Sequence, residues 1–140
     1  MKTIRQFLDH SHRSLYSVGP SATVREALEI MAQHNIGALL VLEGSALAGI
    51  FSERDYARKV TLKGKSSSDL KVSEIMTSKV ITIDANHTVD QCMQIMTDHH
   101  IRHLPIMNGD NVIGLISIGD VVREMIAYQK SMIEQLQSYI

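Results

Sequence analysis

The residues best suited to chemistry lie in a phrase that occurs twice. Gly49-Ile50-Phe51-Ser52-Glu53-Arg54-Asp55 is matched by Gly114-Leu115-Ile116-Ser117-Ile118-Gly119-Asp120. Each copy is a glycine, two apolar residues, a hydroxyl, two intervening residues and an aspartate, followed at once by a helical pattern. Such a phrase reads as a strand end turning into a helix, with the serine and aspartate beside backbone N–H groups that have no partner within the helix. A corner of that kind can hold a sugar and a phosphate. The first phrase carries Arg54 where the second has Gly119, so the two corners are expected to differ in basic groups, with no base in the second phrase.

The elements that must position these residues follow from periodicity and turn signals. Thr3 to Leu8 reads as a short helix, and Tyr16 to Val18 as a brief strand before Gly19-Pro20. Ser21 or Thr23 opens a helix with Val24, Ala27, Leu28 and Met31 at helical spacing, ending near Asn35 and Gly37. Ala38 to Leu42 and Leu47 to Phe51 are strands joined by a turn, and Asp55 to Leu62 is helical. Lys63 to Lys71, with a glycine and three serines, has linker composition. The order then repeats. Val72 to Thr77 is a short apolar turn, Val80 to Ile83 a strand, Thr88 to Met96 a helix, and Leu104 to Met107 and Val112 to Ile116 strands about an Asn108 to Asn111 hairpin. Asp120 is expected to start, and cap, a long final helix.

The halves align without a gap at a constant interval of 65 residues: Thr23 with Thr88, Met31 with Met96, Gly44 with Gly109, Asp55 with Asp120, and Arg58 with Arg123. A register held this long marks an internal repeat. One unit of about 60 residues buries little surface alone, so the pair is the expected folding unit. The expected class is α/β (α+β), two β-α-β-β-α units about a pseudo-two-fold axis. Residues 1–71 would hold the first helix, repeat 1 and the linker, residues 72–127 repeat 2, and residues 128–140 an extension of the last helix.

Composition narrows the function. The 140 residues are 44% hydrophobic, with no tryptophan and 4% aromatics, which predicts a folded chain with an aliphatic, methionine-rich core. A formal net charge of -1 argues against nucleic acid as the main partner, although Arg13, Lys63, Lys65 and Lys71 could make a local contact. The lone Cys92 excludes an internal disulfide. No apolar h-region follows Lys2 and Arg5, and no run nears the ~20 apolar residues of a membrane span, so a cytoplasmic protein without a membrane partner is expected. Neither a nucleophile elbow, a carboxylate pair at helix spacing, a P-loop nor a dinucleotide fingerprint is present, so no enzyme and no catalytic residue is expected. His99, His100 and His103 cluster in sequence, but the Pro105 strand after them argues that the helix has ended, and no metal site is expected.

The doubled pattern, the Gly-x-x-Ser-x-x-Asp phrases, Val72 to Thr77 and Ile101-Arg102-His103-Leu104-Pro105-Ile106 together resemble a pair of CBS domains, the Bateman module, over nearly the whole chain. The resemblance is to the small stand-alone CBS-pair proteins. It implies a non-catalytic sensor that binds an adenosine-containing ligand (AMP, ADP, ATP, NAD or S-adenosylmethionine) in two clefts between the repeats and signals to a partner protein. It implies ribose on Asp55 and Asp120 with Ser52 and Ser117 beside them. Adenine would lie against Ser17 and Val18 with Gly37 and Ala38, or against Ile81 and Thr82 with Ile101 to His103. Phosphates would meet Arg54, Arg58, Arg102 and His103. The alternative is a structural interaction and dimerisation module with vestigial clefts. The final helix carries Val121, Val122, Met125, Ile126, Met132, Ile133, Leu136 and Ile140, an apolar stripe that outlasts the repeat and points to a homodimer.

Overall fold

The computed structural model describes residues 1–11 and 13–139. The chain divides into two compact units: residues 15–80 with 109–112, and residues 1–14, 81–108 and 113–140. These cut the chain differently from a division at residue 71, because each unit takes in a short helix that stands outside its own β-α-β-β-α run.

In the unit built on the first repeat, β1 (Ser17–Val18) lies parallel to β2 (Ala38–Glu43), which is antiparallel to β3 (Ala46–Ser52). Gly44, at φ 64°, takes the left-handed turn between β2 and β3. Helix α2 (Val24–His34) starts at Thr23, whose hydroxyl accepts from the Glu26 N–H at 3.1 Å, and ends at Asn35 in the left-handed region. Its apolar face, Val24, Ala27 and Met31, buries against Leu39, Val41 and Phe51 of the sheet. The phrase then bends into α3 (Glu53–Tyr56), which runs on as a π-helical stretch, Ala57–Thr61. The single α-helix expected from Asp55 to Leu62 is thus interrupted. Helix α4 (Val72–Ile75) closes this core with Val72 and Ile75, and Thr77 bridges Ile50 of β3 in both directions at 2.8 and 2.9 Å. Here Gly49 is required: a Cβ on it would stand 2.7 Å from the Thr77 carbonyl oxygen.

The other unit repeats the plan with a substitution of origin. Helix α1 (Ile4–His10) from the start of the chain packs Ile4 and Phe7 into the core of the second repeat, with Val89, Cys92 and Met96 of α5 (Val89–His99) and Leu104, Ile106 and Ile116 of the sheet. It is to this unit what α4 is to the first. Thr3 bridges Thr88 as Lys71 bridges Thr23, and a Cβ on Gly114 would stand 2.7 Å from Leu8, as one on Gly49 would crowd Met76. Strand order is β4 (Ile83–Asp84), β5 (His103–Asn108), β6 (Asn111–Ser117), and helix α6 (Ile118–Gln137) follows.

Three expectations of detail are corrected. The strand expected over Val80 to Ile83 is confined to Ile83–Asp84, in register with Ile106 and Met107. By the repeat, Thr82 corresponds to Ser17, which pairs with Leu40. The residue at Leu40's place is Pro105, whose ring nitrogen has no hydrogen for the ladder. Second, α6 begins at Ile118 with Ser117 as its cap, so Asp120 is its third residue and not the capping one. Third, the helix expected over Thr88 to Met96 runs on to His99 before His100, at φ 54°, stops it; His99 and His103 lie on different elements and share no helix face, in line with the expectation from Pro105. No helix among the described residues is long and apolar enough to cross a membrane.

Candidate functional site

Both Ser-x-x-Asp phrases fold into capping boxes, because the serine ends an extended strand and the aspartate falls three residues later at the helix start. At the first, the Ser52 hydroxyl accepts from the Asp55 N–H at 3.2 Å, while Asp55 Oδ2 accepts from the Ser52 N–H at 3.0 Å and its hydroxyl at 3.1 Å. At the second, the corresponding distances around Ser117 and Asp120 are 3.2, 2.9 and 3.0 Å. Both aspartates are buried, at 7% and 5% exposure, the two buried charged residues in the described cores. A buried carboxylate needs compensation beyond the cap.

That compensation differs between corners. Asp55 Oδ1 accepts from the Thr77 hydroxyl at 3.1 Å and pairs with Lys59 Nζ at 3.0 Å. Lys59 also donates to the Ile75 carbonyl at 3.0 Å. Asp120 faces two guanidinium groups: Arg13 Nη2 lies 2.9 Å from Oδ2, and Arg123 Nη2 lies 2.7 Å from Oδ1. The second phrase itself carries no base; the bases at its corner come from the following turn of α6 and from the segment after α1, so the two corners differ in their basic groups. Arg123 corresponds to Arg58 by the repeat, yet Arg58 is exposed and its neighbour Lys59 reaches the aspartate. The π-helical stretch accounts for the slip, since its wider turn carries the partner position on from i+3 to i+4. Burial pushes the Asp120 carboxyl up, but hydrogen bonds from Arg13 and from the Ser117 N–H and hydroxyl outweigh it and hold the group below the usual aspartate value.

The sheet gathers some of the other named residues at these corners. Gly37 accepts from the Glu53 N–H at 3.1 Å, and Ala38 pairs with Ser52, so both adjoin the first serine. Ser17 and Val18 enter the same end of the sheet beside Leu40 and Val41, with Ser17 exposed and Val18 in the core. Tyr16 stacks on His34 at 3.7 Å between ring centroids, an aromatic pair next to Ser17 that helix and strand periodicity do not reveal. At the second corner the Arg102 carbonyl accepts from the Ile118 N–H at 2.8 Å, the counterpart of the Gly37 bond, with the Arg102 side chain exposed. Ile101 and Ile81 pack against the core, Thr82 is exposed, and His103 opens β5 half-buried, as Arg54 is on α3.

Sequence reasoning missed Arg13, Thr77, Lys59 and Arg123. The last two sit one helical turn beyond their aspartates, a spacing that could have pointed to them. Arg13 and Thr77 lie 107 and 22 residues from theirs and leave no local signal. Among the described residues, no group of three or more His, Cys, Asp and Glu side chains could hold a metal ion.

The family model for the CBS domain matches twice, over residues 4–61 and 72–127. The chain belongs to the CBS-domain family. The match covers a tandem pair, and the two three-stranded sheets are those of a CBS pair. The chain is 46% identical over 123 residues to the mitochondrial CBS domain-containing protein CBSX3 of Arabidopsis thaliana, covering 84% of this chain and 60% of that protein. It thus spans less than two thirds of that relative's length. A solved CBS-domain protein from Burkholderia ambifaria superposes with a TM-score of 0.86 at 46% identity, over 90% of this chain and 95% of the other. The CBS pair of MJ0100, solved with 5-methylthioadenosine and S-adenosyl-L-methionine, superposes with a TM-score of 0.79 over 91% of this chain and 98% of its own; at 23% identity it shares the fold.

Proposed function

We propose that this CBS pair is a non-catalytic sensor that binds an adenosine-containing ligand, with the ribose hydroxyls donating to Asp55, Asp120 or both. The observation that carries this reading is the buried carboxylate repeated at a strand-to-helix corner. A cap alone does not call for a buried charge with cationic or hydroxyl partners at both copies, and such a carboxylate accepts strongly from a diol, at about 1.5–3 kcal/mol per bond. The methylthioadenosine and S-adenosylmethionine bound to MJ0100 give the fold-level precedent. Adenine lies against Ser17, Val18, Gly37 and Ala38 at the first corner or against Ile81, Thr82 and Ile101 at the second. Arg54, Arg58, Arg102 and His103 are the phosphate-facing residues in this reading. The sensed ligand is AMP, ADP, ATP, NAD or S-adenosylmethionine, and occupancy changes the contact with a regulated protein in the cytoplasm.

Thermal unfolding with each ligand tests it. A bound ligand raises the midpoint by mass action, and Asp55→Ala with Asp120→Ala abolishes the rise. No rise at millimolar ligand, or a rise that survives both substitutions, removes the ribose assignment.

A second reading, a structural interaction module, is favoured by α6. Val122, Ile126, Gln129, Ile133 and Leu136 alternate at spacings of four and three residues, a coiled-coil seam, and all are exposed. The homodimer belongs to both readings. Sedimentation of the native chain should give a dimer, and Ile126→Gln with Ile133→Gln a monomer; an unchanged native monomer rejects it.

A further inference from the structure

The four bonds on Asp120 leave it at most one open acceptor position, on Oδ1. An ionised carboxylate offers about four lone-pair sites. The Ser117 N–H, the Ser117 hydroxyl and Arg13 Nη2 take Oδ2, and Arg123 Nη2 takes Oδ1. A ribose diol that donates both hydroxyls to Asp120 must displace something, since one open site cannot take two donors. The Ser117 bonds belong to the helix cap, and losing them uncaps α6. The arginines are the groups that can yield, since their side chains are 53% and 71% exposed and a freed guanidinium returns to water.

We propose that Arg13 and Arg123 form an ionic latch on Asp120, released by phosphate, so that this corner selects adenosine ligands carrying phosphate over neutral or cationic ones. This rests on the ribose reading of Asp120. A neutral nucleoside breaks a charge-assisted bond and gives the guanidinium nothing in return. A nucleotide supplies an anion of the geometry a guanidinium fork accepts bidentately, so the cations pass from carboxylate to phosphate as the ribose takes their place. Arg13 stays anchored during that exchange: its guanidinium lies 5.6 Å from the Phe7 ring centroid, and its Nε donates to the Ser11 hydroxyl at 3.3 Å. Arg13 is thus an internal competitor for the ribose acceptor and, after release, a phosphate ligand. At the other corner a hydroxyl, Thr77, stands where the second corner has a guanidinium, and it can turn away without stranding a charge.

The test is calorimetric titration of adenosine, AMP and ADP into the full chain carrying Asp55→Asn, which removes the first corner's carboxylate, with and without Arg13→Ala and Arg123→Ala. With both arginines, AMP and ADP should bind on the order of tenfold or more tightly than adenosine. Without them the preference should fall severalfold, to what Arg102 and His103 supply, while adenosine binds at least as tightly as before because its acceptor has been freed. Arg13→Lys with Arg123→Lys keeps the charge but not the fork and should restore only part of the preference. Equal binding of adenosine and AMP before substitution, or a preference undiminished by loss of both arginines, overturns the latch and leaves the ribose reading standing. If adenosine and nucleotides all fail to bind, or if Asp120→Asn changes nothing, the ribose reading of Asp120 falls and takes the latch with it.

Discussion

Steric need separates the glycines of the repeated phrase. Gly49 is fixed by close approach, with a would-be Cβ 2.7 Å from the Thr77 carbonyl oxygen and 2.8 Å from Met76 Sδ. Gly119 meets nothing nearer than the end of Arg123, at 3.4 Å. Gly49→Ala is therefore expected to cost about 1–3 kcal/mol in urea unfolding, by forcing β3 and the 76–77 segment apart. Gly119→Ala is expected to be neutral or to stabilise by up to about 1 kcal/mol. Asp120 contributes to the acid sensitivity of its unit. Because its folded pKa is depressed, its stabilisation is fully present above the unfolded aspartate value of about 3.9 and is lost as pH falls through the folded value. Asp120→Asn should thus flatten the fall of the unfolding midpoint below about pH 4 while lowering the midpoint at neutral pH. A parallel fall in both proteins would count against the assignment. Cys92, by contrast, is packing: burial and the nearby Asp90 charge push its thiol up to about 11.

At the level of elements, two small departures from the repeat distinguish the halves. A π-helical stretch after α3 hands the aspartate's partner from the Arg58 position to Lys59, and Pro105 removes the first pair of the β4–β5 ladder while the register stays that of β1 and β2. The capping boxes are common to both copies, and their worth is measurable. Ser117→Ala should destabilise by about 1 kcal/mol through loss of the bond to the Asp120 N–H. Ser117→Thr, which keeps the hydroxyl, should recover most of it in the same denaturation assay. The repeat, the helix faces and the hairpins were legible from periodicity because each rests on residues two to four apart. The onset of α6 was misplaced by the width of its cap, since serine and aspartate both suit that position and only the backbone dihedrals separate them.

For the whole molecule, the compact units do not follow chain order. Residues 1–14 belong with the second repeat, where Phe7 and Ile4 are buried. Phe7→Ala should cost about 3–5 kcal/mol and, in hydrogen exchange, raise the rates of α5 and β5, elements in its own core. If those rates hold while the protein is destabilised, the packing of α1 is wrong. The sequence by itself determined the doubled pattern, the helix faces, the turn glycines and the family, all of which are written in spacings of a few residues or in a constant interval between copies. Only the tertiary structure decided that α1 and α4 close the cores beside them, that Arg13 and Thr77 reach the aspartates, and that the second corner is the one with paired guanidiniums. The physical reason is that these contacts join residues tens of positions apart, where no periodicity constrains them and only the packed chain brings their charges together.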